Sequence, residues 1–279
     1  MALTSSIDHL TNPLVSAAQL YRLQDDAAVQ LGEHTLSIRF AQAQLTQTAG
    51  VLLRLPQEVI ATAIVILQRF IVNGLPDNTT NIDNKMCSAA AIYLAAKLSF
   101  TPLAPRSVIN VYAYLASAAS PLWFVNPGGP SPAADARSYY ISEGTYERER
   151  QRLFVAENMI LAGIGFDTQV VLPHTLALTY LQALGASSSS LAKRVLEHLN
   201  SALLSPQLLY LTNQPNALAV AAIYLAARET SVRLVEENWW EVFDVDREDL
   251  GFLVLAYGSF ENFVQAERQQ WEGKKIPLT

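Results

Sequence analysis

The heptapeptide AIYLAAK at residues 91–97 returns as AIYLAAR at residues 222–228, with six of the seven letters unchanged. Each copy ends an uncharged run, 86–96 or 217–227, that stops at a basic residue. A helix that is apolar on all sides has to be surrounded by other helices, and alanine lets those neighbours approach closely. The repeat therefore predicts two helical bundles, each built around its own copy. Chance convergence of two Ala-rich core helices is the alternative, and the matching order of segments in the two halves disfavours it.

Helix-period segments fill most of the chain, whereas strand-like alternation is scarce. Pro56 suits the first turn of a new helix, and the turn-forming residues at 73–83 and the Pro/Gly/Ser-rich stretch at 120–138 separate further segments. The predicted helices form two series of five: 38–54, 57–73, 82–99, 105–118 and 144–164, then 173–184, 190–204, 215–230, 235–243 and 246–266. The fold class predicted is therefore all-α, with two tandem five-helix bundles.

Two connecting regions carry more specific predictions. The sequence TNPLVSAAQLYRL, 11–23, is expected to open a short helix with Asn12 as its cap and Pro13 in its first turn. The stretch at 167–173 reads as an extended connector between the two series.

Composition excludes several classes of function. The chain has 279 residues, a net charge of −6 and a pI near 5.3, which argues against broad nucleic-acid binding. Cys87 is the only cysteine, so no disulfide can form within the chain, which fits a reducing compartment. Cys87 is expected to be a small buried hydrophobe. The long uncharged run 168–192 is too polar to sit in lipid, so the chain is expected to be soluble and intracellular.

A search for catalytic patterns is negative. The four histidines, His9, His34, His174 and His198, have no metal-ligand spacing, and no nucleophile-elbow motif is present. The sequence GIGF at 163–166 is interpreted as a helix terminator because it ends a helix instead of opening one. Trp239 and Trp240 are expected to be core or domain-packing residues. No cofactor and no metal are predicted.

The acidic residues of TYERERQRLFVAEN, 145–158, are mostly predicted to form a solvated helix face with i,i+4 pairing. Glu157 differs because it stands between the apolar stretches LFVA and NMILAGIGF. Two interpretations stay open from the residues alone: an ordinary surface residue on a tilted helix, or a carboxylate kept for a partner.

Several longer segments resemble the cyclin family, and the L-type cyclins most closely. These are QTAGVLLRLPQEVIATAIVILQRF at 47–70, RSVINVYAYL at 106–115, FVAENMILAGIGFDTQVVLPHTLALTYLQALG at 154–185 and QPNALAVAAIYLAAR at 214–228. The resemblance spans roughly residues 36–267. It implies a cyclin fold with an N-terminal arm at 1–35, a first cyclin box at 36–168, a second box at 169–268 and a C-terminal tail at 269–279.

The resemblance also implies a function, which is binding and activating a cyclin-dependent kinase without catalysing a reaction. Cyclins bond the kinase main chain through a Lys at the end of the third helix and a Glu in the fifth. These positions fall on Lys97 and Glu157. Leu98, Leu161 and Phe166 match the apolar positions around them. The kinase-binding residues implied are therefore Lys97, Leu98, Glu157, Leu161 and Phe166.

The sequence departs from the family pattern at three places. Leu98, Ser99 and Phe100 stand where most cyclins carry a short acidic stretch after the Lys. Arg39 falls where many cyclins keep an Arg, but its customary Asp partner is replaced by Gln68, which disfavours the substrate-docking patch of cell-cycle cyclins. L-type cyclins usually continue into an Arg/Ser-rich tail, which this chain, ending at Thr279, does not contain.

The partner expected from the resemblance is a PITSLRE-like cyclin-dependent kinase acting in transcription or pre-mRNA splicing in the nucleus, with splicing factors as candidate further partners. No membrane and no direct nucleic-acid contact is expected. The alternative is a cyclin-fold scaffold of the transcription machinery, like transcription factor IIB, without kinase activation. An all-helical enzyme is the third and least supported hypothesis, because no nucleophile with a base and no metal cluster is visible.

Overall fold

The computed structural model describes residues 10–26, 34–73, 83–131, 135–234 and 238–278. Across these residues the chain is helical, and no strand occurs in the part described. The eleven α-helices are α1 (Ala17–Asp26), α2 (Thr35–Leu52), α3 (Gln57–Asn73), α4 (Asn84–Leu98), α5 (Pro105–Ala116), α6 (Glu143–Gly163), α7 (Pro173–Ala183), α8 (Ser189–Leu204), α9 (Leu209–Thr212), α10 (Pro215–Glu229) and α11 (Arg247–Gln270). The predicted all-α fold is confirmed.

The chain divides into two compact units. The first unit comprises Ala17–Thr168 together with Ala266–Thr279, and the second comprises Met1–Ser16 together with Gln169–Gln265. Residues 269–279, predicted as a tail, include the buried Trp271, whose indole Nε1–H donates to Ser37 Oγ at 3.1 Å within the first unit. The C-terminal segment is therefore packed against the first unit through the Trp271 side chain.

In the first unit, α4 lies at the centre and packs against α2, α3, α5 and α6. Every residue from Met86 to Ala96 is buried, as the uncharged run predicts. The Asp83 carboxylate caps this helix by accepting hydrogen bonds from the backbone N–H groups of Lys85 and Met86, at 3.0 and 3.3 Å. Cys87 is buried in this core, which confirms its expected role as a small apolar residue.

Three hydroxyl groups form a buried chain inside the first unit. Ser88 Oγ on α4 lies 2.7 Å from Thr46 Oγ1 on α2 and 2.6 Å from Tyr112 Oη on α5. Thr46 also donates to the backbone oxygen of Gln42 at 2.8 Å. Each hydroxyl therefore has a partner, which removes the cost of burying a polar group in an apolar core. We call these three residues the hydroxyl chain.

In the second unit, α10 carries the second heptapeptide and packs against α7, α8 and α9. Its residues from Leu218 to Ile223 are buried, whereas Tyr224 and Leu225 are only half-buried. Tyr257 on α11 donates from Oη to the backbone oxygen of Leu218 at 3.2 Å. The second central helix is thus less completely enclosed than α4 in the part of the unit that the structure describes.

Two local predictions need correction, and one short helix was missed. Asn12 does not cap a helix: α1 begins at Ala17, and the Asn12 amide instead bonds both backbone groups of Val171, at 2.7 and 2.8 Å. The helix predicted at 235–243 is a 3₁₀ segment, Trp239–Phe243, and residues 235–237 lie outside the described part. The single-turn helix α9 was not predicted, because four residues are too few to show a helical period.

Candidate functional site

Lys97 and Glu157 meet at the surface of the first unit. Lys97 stands in the last turn of α4, Glu157 lies in the second half of α6, and Lys97 Nζ is 2.7 Å from Glu157 Oε1. The Lys97 side chain is 45% exposed and that of Glu157 is 11% exposed. The fold therefore brings together two residues that are 60 positions apart in sequence. The ammonium group stays open to solvent beside a carboxylate that is largely enclosed.

The Lys97 side chain is held by its surroundings. Its Nζ lies 4.6 Å from the centre of the Tyr93 ring, and this ring is 6.0 Å from that of Phe154 on α6. A cation over an aromatic face is attracted by the ring quadrupole. Lys97 also stands at the negative end of the α4 dipole, which favours a positive charge. These contacts fix the position of the ammonium group within the protein itself.

A braced turn follows Lys97. Ser99 Oγ donates to the backbone oxygen of Ala96 at 2.9 Å, and it lies 2.7 Å from Thr101 Oγ1. The backbone N–H of Thr101 in turn donates to Ser99 Oγ at 3.1 Å. Leu98 and Phe100 project from this turn into solvent, and Phe100 is fully exposed. Phe100 was noted in the sequence only as a departure from the acidic pattern, so its place among the exposed apolar residues here is new.

The end of α6 brings Leu161 and Phe166 together. The backbone N–H of Phe166 donates to the oxygen of Leu161 at 2.8 Å, and that of Gly165 donates to Ala162 at 3.1 Å. This is the Schellman pattern that terminates many helices, and it confirms the interpretation of GIGF as a terminator. Gly165 has φ +63° and Phe166 has φ +62°. Phe166 accepts this left-handed conformation at a cost of about 1–2 kcal/mol while exposing its ring.

The sequence-predicted contact residues combine one ion pair with three apolar side chains, of which Leu98 and Phe166 are exposed and Leu161 is half-buried. We call the five sequence-predicted residues, Lys97, Leu98, Glu157, Leu161 and Phe166, the anchor surface. Two exposed residues of α6 that were not predicted as contacts, Phe154 and Val155, precede Glu157 by less than one turn. The apolar run LFVA was the available signal for them, but a sequence run does not show which of its residues face solvent.

The chemistry of the anchor surface suits recognition of a backbone. The Lys97 ammonium carries three hydrogens, and Glu157 has a second oxygen besides the one paired with Lys97. A donor and an acceptor thus stand side by side, as the two polar groups of a peptide unit require. The ion pair itself, half-exposed on one side, contributes only about 0–1 kcal/mol to stability. The ion pair mainly fixes the Lys97 donor and the Glu157 acceptor next to each other.

The neighbouring charges of α6 form a separate surface network. Glu147 pairs with Arg150, and Glu149 pairs with Arg152 at 3.2 Å, both at i,i+3 instead of the predicted i,i+4 spacing. Arg152 also reaches Asp83 at 3.2 Å. These pairs confirm a solvated charged face at the N-terminal half of the helix. Glu157 stands apart from them because its partner comes from α4.

Arg39 and Gln68 do not form an ion pair, since Gln68 is neutral. Arg39 is half-buried, burial lowers the pKa of its guanidinium, and its Nε has no hydrogen-bond partner. Gln68 is buried in α3. The acidic partner that the cyclin pattern places opposite this arginine is thus absent at this position.

The described histidines serve structural contacts. His34 packs edge-on against the Trp271 ring at 4.9 Å, His174 Nε2 lies 3.0 Å from Asn200 Oδ1, and His198 Nε2 lies 3.0 Å from a Glu229 oxygen. His9 lies outside the described residues. No group of three or more metal-ligating side chains occurs among the residues the structure describes. None of the described helices combines the length and apolarity needed to cross a membrane.

Solved structures share this fold. A chain of the yeast RNA Pol II CTD kinase CTDK-1 complex superposes with a TM-score of 0.70 at 14% identity, over 97% of this chain and 79% of that one. A chain of the CAK complex from Chaetomium thermophilum bound to ATP-gamma-S gives a TM-score of 0.61 at 16% identity, over 94% and 79%. At these identities the likeness concerns the fold.

Curated proteins with similar sequences are L-type cyclins. Human Cyclin-L1 is 28% identical over 247 residues, which cover 88% of this chain and 43% of Cyclin-L1. The chain is similar to the L-type cyclins over most of its own length. Zebrafish Cyclin-L1 (Danio rerio) is 29% identical over 220 residues, and human Cyclin-L2 is 28% identical over 244 residues. The chain spans less than half the length of the curated relatives it matches. No family model matches it.

Proposed function

We propose that this cyclin is a non-catalytic regulatory subunit that binds and activates a protein kinase through the anchor surface. The observation that carries the proposal is the Lys97–Glu157 pair at 2.7 Å, open to solvent at its ammonium end, with exposed apolar side chains at Leu98, directly after Lys97, and at Phe166, just past the end of α6. A pair placed for fold stability alone would need no exposed apolar residues around it. Isolated surface pairs are also worth too little to explain the arrangement.

Activation then follows from stabilising one conformation of the partner. In protein kinases, a Glu on the regulatory helix has to pair with the strand Lys before ATP is properly held. A cyclin bound beside that helix shifts the population toward the paired orientation, by as much as its affinity for the two orientations differs. The cyclin supplies shape and hydrogen bonds, and the kinase performs the chemistry.

The energetics divide between the two kinds of residue. Leu98, Leu161 and Phe166 supply apolar area, at about 25 cal/mol for each Å² buried. Lys97 and Glu157 fix the register by bonding main-chain groups, and losing such a charge from a desolvated contact costs about 2–5 kcal/mol. The same charges contribute little to the stability of the free cyclin. Binding and folding are therefore separable by mutation.

The finer proposal is a PITSLRE-like kinase partner and a nuclear role in transcription or pre-mRNA splicing. Similarity to Cyclin-L1 and Cyclin-L2 supports the choice of an L-type cyclin. The fold shared with a chain of an RNA Pol II CTD kinase complex supports a transcription-related kinase. Splicing factors are candidate further partners, in keeping with the same similarity.

The test exchanges the two charges. The double variant Lys97→Glu with Glu157→Lys keeps an internal ion pair, so we expect its unfolding midpoint to stay close to wild type. It reverses the donor and acceptor offered to the kinase main chain, so we expect affinity to fall at least about thirtyfold, the equivalent of about 2 kcal/mol. Affinity and kinase activation are measured with purified catalytic subunits, a PITSLRE-type kinase first.

The matched control exchanges Arg106 and Glu143, another interhelical pair of the first unit. Because this pair lies at the opposite end of α6 from Leu161, its exchange is expected to leave affinity unchanged. Undiminished binding by the Lys97/Glu157 exchange would reject the anchor surface. If wild-type protein retains no kinase at all, the scaffold hypothesis replaces kinase activation.

A further inference from the structure

The second unit contains a pocket of about 590 Å³. It lies where the end of α10, the start of α11 and the 3₁₀ segment Trp239–Phe243 meet. Its walls are mixed: Tyr224, Trp239 and Trp240 supply aromatic surface, and Leu250 and Val254 supply aliphatic surface. This volume lies within the range typical of ligand sites, about 300–1,000 Å³.

The heptapeptide repeat places a cation at this pocket. Arg228 occupies in AIYLAAR the position of Lys97 in AIYLAAK, and Tyr224 occupies that of Tyr93. Both cations lie over their tyrosine, at 4.6 Å for Lys97 and 5.8 Å for Arg228. The two units therefore share a local arrangement of cation and ring at the end of the central helix.

The units differ in what faces that cation. Lys97 has the Glu157 carboxylate at 2.7 Å. Among the described residues, Arg228 has no carboxylate within ion-pair distance, and α11 presents a second guanidinium, Arg247, to the same pocket. Arg247 likewise forms no ion pair with any described side chain. Among the described residues, the cation at this position therefore faces a carboxylate in the first unit and a second guanidinium group in the second.

The charged and indole groups that line the pocket are all donors. Guanidinium groups donate hydrogen bonds and accept none, and an indole N–H only donates. Trp240 Nε1 is buried and has no acceptor. A buried donor without an acceptor is unfavourable, and a ligand that brings an acceptor removes that cost. The guanidinium groups of Arg228 and Arg247 and the Trp240 N–H therefore favour a ligand that carries negative charge and several acceptor oxygens.

We propose that this pocket binds an oxyanion side chain, a carboxylate or a phosphate, carried by a segment of a partner protein. The guanidinium fork matches both groups bidentately. The aromatic and aliphatic walls accept the apolar residue beside the oxyanion. A peptide is favoured over nucleic acid because the protein has net charge −6, and phosphate backbones require extended clusters of Lys and Arg.

The experiment uses the four tryptophan indole N–H signals of the full chain in a proton–nitrogen correlation spectrum. Trp240→Phe identifies the Trp240 signal by removing it. Titrations use phenyl phosphate and phenylacetate, which offer the two oxyanions on an apolar ring, and phenylacetamide as the neutral analogue. We expect both anions to shift the Trp240 signal saturably and phenylacetamide not to. The tighter of the two anions identifies a phosphorylated or an acidic side chain as the natural ligand.

Arginine variants test the assignment. Arg228→Ala and Arg247→Ala are each expected to weaken binding of the tighter probe about tenfold. Arg228→Lys is expected to retain more of the affinity than Arg228→Ala, because charge remains while the fork is lost. The matched control is Arg233→Ala, which removes the same charge from an exposed residue that does not line the pocket, and which is expected to change the affinity less than twofold. The other indole signals report whether each variant is folded.

Three results would overturn the proposal. The first is a Trp240 signal that neither anion moves. The second is an equal response to phenylacetamide, which would make the pocket an apolar site. The third is an equal loss of affinity in Arg233→Ala, which would show a general field effect. None of these outcomes bears on kinase binding, because the anchor surface lies in the first unit and is tested with other variants.

Discussion

Gly163 ends α6 against the ring of Phe70, and adding one methyl group there should destabilise the first unit. An ideal Cβ at Gly163 would lie 2.7 Å from Phe70 Cδ2 and 2.9 Å from Cε2. Carbon atoms in favourable contact are about 3.5–4.0 Å apart, so the ring would have to retreat by about 1 Å. Phe70 is almost fully buried in α3 and its ring is rigid. Little room is therefore available for that movement.

The expected net cost of Gly163→Ala is about 1–2 kcal/mol. Overpacking a dense core costs about 1–3 kcal/mol. Alanine recovers at most about 1 kcal/mol of helix propensity, and less at the last residue of a helix. Gly144→Ala is the matched control in the same helix, because nothing lies within 4 Å of its added Cβ. That variant is expected to be neutral or to gain about 0.5–1 kcal/mol.

Urea unfolding, followed by far-UV circular dichroism, measures both changes. Hydrogen exchange of peptides from α3 and α6 shows whether the change lies in this unit. In a Phe70→Leu background, Gly163→Ala should cost less than in the wild type, because a smaller side chain faces the methyl group. A Gly163→Ala protein as stable as wild type, or a Gly144→Ala protein destabilised to the same extent, would refute the packing argument.

Two further predictions concern buried titratable groups. Burial, with a smaller contribution from the Asp83 carboxylate, raises the pKa of the Cys87 thiol to about 12. Cys87 in the native protein should therefore react with iodoacetamide far more slowly than in the urea-unfolded protein. Equal rates would show that the reagent reaches Cys87 in the folded state. Burial also raises the pKa of Tyr112, Tyr210 and Tyr257 above the ordinary tyrosine value. Their contribution to stability is complete below about pH 10, where tyrosines of the unfolded chain begin to ionise, and is lost as pH rises further. Urea midpoints that stay constant through alkaline pH would contradict this.

Sequence reasoning succeeded where one local rule decides the structure. Prolines at 56, 105, 173 and 215 stand at or just before the first residue of a helix, because proline fits the first turn and fails in the interior. The uncharged run 86–96 forms a fully buried central helix, because a helix that is apolar on all sides has to be surrounded by other helices. In each case the signal lies within a few residues of its consequence.

Features that depend on tertiary contacts were beyond such rules. The closeness of Lys97 and Glu157 was implied by family resemblance alone, since a separation of 60 positions gives no local signal for a 2.7 Å contact. Asn12 was predicted to cap a helix, but its side-chain amide forms hydrogen bonds with the backbone of Val171 instead. The pocket at Arg228 was not predicted at all. Its cations come from two helices, and the missing carboxylate is visible only by comparing the two units in space.

The hydroxyl chain also bears on the placement of the anchor surface. Helix α4 is lined by alanines, whose small and similar side chains would pack almost as well if the helix slid along its neighbours. Sliding by one turn would displace every α4 residue by about 5.4 Å. Such a slide is disfavoured because it would separate Ser88 from both Thr46 and Tyr112 and so break two hydrogen bonds inside the core. The three hydroxyl groups thus fix the position of α4 along its own axis. That position decides where the Lys97 ammonium group, at the end of the helix, reaches solvent.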